Sequence, residues 1–246
     1  MPSLRSGVIV LAVSSACSAS AQIPDKFTNL QFFPKDISRA ELVMTMRNIA
    51  GDLGLRCHNC HVGPDDLTGM DFAIDEKPTK KVAREMLKML QSVNATLKTL
   101  PPRDEPRGSA TCYTCHRGAQ RPPERLDMLL ARVAQEKGAE TAIARYQELK
   151  KDHPNDGQYN FTPPAVGIAA SRLVEANRVD EGLALARFNA ELFPDVSLVQ
   201  AQVGQILMRK GDRTAAAEQF RKALKLDPTN QAAQRGLKAA EEPAKK

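Results

Sequence analysis

Two pentads hold the residues best suited to chemistry. Cys57-His58-Asn59-Cys60-His61 and Cys112-Tyr113-Thr114-Cys115-His116 both read Cys-x-x-Cys-His. Two thiols at this spacing can add to the two vinyl groups of one porphyrin as thioethers, and the His that follows then lies under the iron. By composition, one such pentad is expected only about 0.0015 times in a chain of this kind. The spacing therefore predicts two covalently attached c-type haems. Cys57, Cys60, Cys112 and Cys115 are the thioether residues, and His61 and His116 the proximal ligands. A four-cysteine zinc site would place its pairs about 15–20 residues apart, whereas 51 residues separate Cys60 from Cys112. Zinc also gives no reason for a His after each pair. A thioredoxin-like dithiol would sit beside a βαβ pattern, which this sequence lacks.

The second axial ligands must come from elsewhere. Outside the proximal positions the chain has only His58, inside a motif, and His153, in a turn-like Lys-Asp-His-Pro segment. Methionine is the expected partner, and a His/Met pair raises a haem's potential. Ser38 and Glu41 form a capping box that starts a helix before the first motif, and Gly54 is a stop signal. Leu42, Met46, Ile49 and Leu53 make its packing stripe. Met44 lies on another face beside Ala40, Asn48 and Gly51, small residues that would let a flat macrocycle approach. Met44 is the expected ligand and Met46 its backup. A second amphipathic helix runs from Pro78 to Leu100 before the second motif. Its apolar face takes Val82, Met86, Met89, Leu90, Val93 and Leu97. Met86 and Met89 lie three apart, so either could address one haem.

Residues 28–120 resemble the multihaem cytochrome subunit of bacterial photosynthetic reaction centres and its relatives in non-photosynthetic bacteria. The resemblance rests on Leu30-Gln31-Phe32-Phe33-Pro34-Lys35-Asp36-Ile37-Ser38, on Met44-Thr45-Met46-Arg47, on both haem motifs and on Met89-Leu90-Gln91-Ser92-Val93-Asn94. It implies that a helix before each motif supplies the axial Met: Met44 for the first haem and Met89 for the second, with Met86 as the alternative. It also marks a departure. That subunit carries four haems, with a His ligand for the fourth, and no His stands between Met89 and Cys112 here.

The rest of the chain frames this unit. Residues 1–21 read as a secretory signal peptide: Arg5, an apolar run from Val8, and Ala19-Ser20-Ala21 before Gln22. The implied location is the bacterial periplasm, and Cys17 could alternatively carry a lipid anchor. The haem domain is placed at 22–120 and a linker at 121–127. Aligning Pro194 with Pro228 exposes a 34-residue period in which Gly204, Leu207, Ala216, Phe220, Ala223 and Pro228 fit the tetratricopeptide pattern. Ala142, Tyr146 and Pro154 fit the same frame with about 6 extra residues before the next repeat. Helical repeats are placed at 124–240 and a flexible tail at 241–246. The expected fold class is all-α, a dihaem cytochrome c domain followed by a tetratricopeptide solenoid.

Composition narrows the function. The formal charge of +6 comes from 35 Lys+Arg against 29 Asp+Glu. The two signs are interspersed and aromatics are few, so no nucleic-acid partner is expected. The expected function is single-electron transfer between redox proteins docked through the repeats, without catalysis. A dihaem enzyme, such as a peroxidase or small-molecule reductase, is the alternative class, as is a cytochrome subunit of a membrane-bound photosynthetic or respiratory complex.

Overall fold

The computed structural model describes residues 23–154 and 157–242; the signal-peptide segment, Cys17 and the end of the tail lie outside them. Ten α-helices and no strand occur among the described residues. The chain divides into two units, Met1–Gln120 and Arg121–Lys246.

The first unit holds α1 (Arg39–Asp52), a 3₁₀ turn (Cys57–Asn59), α2 (Pro78–Thr99) and the short α3 (Cys112–His116). Ser38 caps α1, its side chain accepting from Glu41 N at 3.2 Å. This satisfies one of the donors that a helix start leaves open. Gly54, at φ +61°, follows the end of α1. Pro78 opens α2 at a position where its missing N–H costs nothing. Long segments between these helices lack regular structure. Leu42 is the only buried apolar residue described in this unit.

The second unit is built from helix pairs. These are α4 (Leu126–Lys137) with α5 (Ala139–Asp152), α6 (Pro163–Glu175) with α7 (Val179–Leu192), and α8 (Ser197–Lys210) with α9 (Arg213–Leu226). A final helix, α10 (Gln231–Glu241), packs on α9 and α8. The starts of α6 and α8, and of α7 and α9, both fall 34 residues apart. The α5–α6 connection carries the extra length. Tyr159 and Phe161 from it pack tilted against each other, and Phe161 meets Tyr146 edge-on at 5.4 Å.

The period is also visible in hydrogen bonds. Gln200 Nε2 donates to Pro194 O at 3.1 Å, and Gln234 Nε2 donates to Pro228 O at 2.8 Å. Both pairs are related by the same 34 residues. The tetratricopeptide positions make the core: Ala142, Tyr146, Ala170, Leu173, Ala186, Leu207, Ala216, Phe220 and Ala223 are all buried.

Phe220 is fully buried, and two glycines make room for it. A Cβ on Gly204 would lie 2.7 Å from its ring and one on Gly236 2.3 Å. Replacing Phe220 by Ala should therefore cost about 3–5 kcal/mol, the transfer loss plus an unfilled cavity. Urea unfolding followed by far-UV circular dichroism measures this, and a loss under about 1 kcal/mol would contradict so tight a fit.

Candidate functional site

Both motifs are wound into a turn that brings their two thiols and their His close along the chain. In the first, His61 N donates to Cys57 O at 2.9 Å. In the second, Cys112–His116 is a single helical turn, and Arg117 N donates to Tyr113 O at 2.9 Å. The third residue of each motif closes the turn from inside. Asn59 Oδ1 accepts from Arg56 N at 2.8 Å, and Thr114 Oγ1 accepts from Thr111 N at 2.9 Å. A short side chain with an acceptor is needed there, which fits Asn and Thr. No disulfide joins the four motif cysteines; Cys57, Cys60 and Cys112 are half-buried and Cys115 is exposed. Burial pushes the Cys60 thiol up. Burial, and then the Asp52 carboxylate, push Cys112 up.

The two histidines present different surroundings. His116 Nδ1 lies 3.1 Å from Ala119 O. A carbonyl only accepts, so Nδ1 carries the proton and Nε2 keeps its lone pair for a metal. This is the orienting hydrogen bond that metal-bound imidazoles use. His61 is half-buried against the Phe72 ring, 5.1 Å between centroids. Its Nδ1 is buried with no hydrogen-bond partner. Burial first and the Lys80 ammonium second push its pKa down, partly offset by the nearby Phe72 backbone. A lowered pKa keeps the ring neutral near pH 7, the form that ligates.

The loop after the first motif is folded back by one lysine. Lys80 is buried, and its Nζ donates to the carbonyls of Phe72, Ala73 and Ile74 at 2.9, 3.0 and 2.7 Å. Asp75 pairs with it at 3.0 Å and with Arg84 at 2.6 Å. Arg84 foremost, then Asn29 and Lys80, hold the Asp75 carboxyl well below the usual carboxylate range. Lys77 Nζ donates to His58 O and Thr79 Oγ1 to Asn59 O, so the start of α2 is pinned to the first motif. Further along α2, Asn94 ties down the approach to the second motif. Its amide donates to Ala110 O at 2.9 Å and accepts from Ala110 N at 2.8 Å. Sequence reading missed Lys80 and Asn94, because a lysine and an asparagine on a helix ordinarily face water.

The methionines are where a planar group could reach them. Met44 is 56% exposed, and a Cβ on Gly51 of the same helix would meet nothing within 4 Å. Met46 is half-buried with Ile49 and Leu53. The apolar face expected for α2 is in fact two stripes. Leu87, Leu90 and Leu97 are partly covered, whereas Val82, Met86, Met89 and Val93 stand exposed along one line, Met86 at 40% and Met89 at 51%. These positions follow i, i+4, i+7, i+11 spacing, one face of a helix. Among the described residues, one buried apolar residue, two cysteine pairs outside any disulfide, a histidine whose Nε2 lone pair is left for a metal and an exposed apolar stripe fit a large flat apolar ligand. Among the described residues, no cluster of His, Cys, Asp and Glu suits a bare metal ion. No described helix is long and apolar enough to cross a membrane.

The family model for the photosynthetic reaction centre cytochrome C subunit matches residues 5–153. That match runs beyond residue 120, where the sequence resemblance ends, to just past α5. Among solved structures, the crystal structure of the Sgt2 TPR domain from Aspergillus fumigatus is similar at 17% identity and a TM-score of 0.33. It covers 49% of this chain and 85% of that one.

Proposed function

The chain belongs to the photosynthetic reaction centre cytochrome C subunit family, a family of haem-binding electron-transfer cytochromes, and from that membership we propose that it is an exported carrier of single electrons with two covalently attached haems. Cys57 and Cys60 hold the first haem and Cys112 and Cys115 the second. His61 with Met44, and His116 with Met89, would hold the two irons, Met86 being the alternative for the second. When bound, each haem iron takes up and returns one electron.

The chain's own residues set what can happen at each site. With two protein ligands on each iron, no position would be left for a substrate, and the protein would make and break no substrate bond. The observation that carries this reading is the exposed methionine on the helix before each motif. The Ala119 carbonyl adds to it by fixing the tautomer of His116. The helix pairs of the second unit give a surface for docking redox partner proteins, the usual role of such repeats. Residues 1–21 export the chain to the periplasm, where the mature protein is soluble or held by a lipid on Cys17.

Carbon monoxide or cyanide added to the protein as isolated distinguishes a carrier from an enzyme. Six-coordinate irons should leave the Soret spectrum unchanged at stoichiometric ligand. Binding at one iron per chain would instead establish an open coordination position, as a dihaem peroxidase or reductase requires.

A further inference from the structure

Asp52 closes α1, the helix that leads into the first motif, yet two of its groups serve the second. Its backbone carbonyl accepts from Gly118 N at 3.0 Å, and its side-chain Oδ2 accepts from Tyr113 N at 3.1 Å. Tyr113 stands between Cys112 and Cys115, and Gly118 two residues beyond His116. Gly54 completes the contact. It approaches Gly118 so closely that a Cβ there would lie 2.1 Å from Gly118 O. The first helix thus ends as a strut against the second haem loop.

The strut carries a charge. The side chain that holds Tyr113 N is a half-buried carboxylate. A partly buried charge is screened by salt less than an exposed one. An anion fixed beside a redox centre favours the more positive, oxidised iron. We propose that Asp52 is a positioning residue of the second haem and that its negative charge lowers that haem's midpoint potential. The first motif is held by other groups. Its loop is pinned by Lys77, Thr79 and Lys80 instead.

This inference rests on the two-haem reading, and its test separates the two. Asp52→Asn keeps an oxygen that can accept from Tyr113 N and removes the charge. In a potentiometric titration of the full, haem-loaded chain, one midpoint should rise and the other should stay. Both Fe–S(Met) charge-transfer bands should persist. Asp52→Glu, which keeps the charge, should titrate like the parent. A chain with Cys112→Ala and Cys115→Ala identifies the haem. There the single remaining midpoint should be indifferent to Asp52→Asn. The proposal is overturned if neither midpoint moves in Asp52→Asn, or if the shift survives in the chain without the second haem. A parent chain that does not carry two haems refutes the underlying function. A two-haem parent in which Asp52→Asn moves nothing refutes this inference alone.

Discussion

With Cys57, Cys60, Cys112 and Cys115 all replaced by Ala, and no haem attached, residues 23–120 should lose their fold while the C-terminal repeats keep theirs. Ordering one residue's backbone costs roughly 1–2 kcal/mol, and burying one large apolar side chain returns about 1.5–3 kcal/mol. Leu42 is the only buried apolar residue described in the first unit, and its other apolar helix residues are partly or largely exposed. That is far too little to order nearly a hundred residues without a large apolar ligand. The second unit needs no such help: Leu130, Leu149, Leu173, Leu185, Leu207 and Phe220 are fully or almost fully buried. Hydrogen exchange on the full chain should show α1 and α2 amides unprotected and α6 to α9 amides protected. Limited proteolysis should leave a fragment that starts near Arg121. Protected amides in α2 of the haem-free chain would contradict the prediction.

The second large effect concerns the axial sulfurs. Met44→Ala should abolish the near-infrared Fe–S(Met) charge-transfer band of one haem and leave that of the other. Met89→Ala should abolish the other. Met86→Ala should leave both, although Met86 shares the exposed stripe of α2. Losing a thioether ligand also lowers that haem's potential, since the His/Met pair is what raised it. Survival of both bands in Met44→Ala would refute its assignment. Loss of a band in Met86→Ala would transfer the second haem's ligand from Met89 to Met86.

Local signals in the sequence located most elements. Ser38, Pro78 and Gly54 mark helix ends through backbone chemistry that depends on immediate neighbours, and α1 and α2 begin and end close to them. The 34-residue period locates α6 to α9 because every repeat must solve one packing problem with the same residues. Gly54 shows where such reading stops. The sequence presents it as a helix stop, but it is also the only residue type that fits against Gly118, more than sixty positions away. Asp52 on Tyr113 and Asn94 on Ala110 are likewise non-local hydrogen bonds with no periodic trace. Lys80 is hidden for another reason. A lysine is ordinarily solvated, and only the three carbonyls and the carboxylate around its ammonium compensate its burial. The apolar face of α2 divided because periodicity registers hydrophobicity without saying what covers it. One stripe is partly covered by protein, and the other stands exposed.

Both effects presuppose two thioether-bound haems per chain. An alkaline pyridine haemochrome measurement on the purified protein, set against polypeptide concentration from amino-acid analysis, counts them directly. The expected result is two c-type haems per chain, retained after acid–acetone extraction because they are held by thioethers. Any other stoichiometry, or haem that leaves with the solvent, would contradict it.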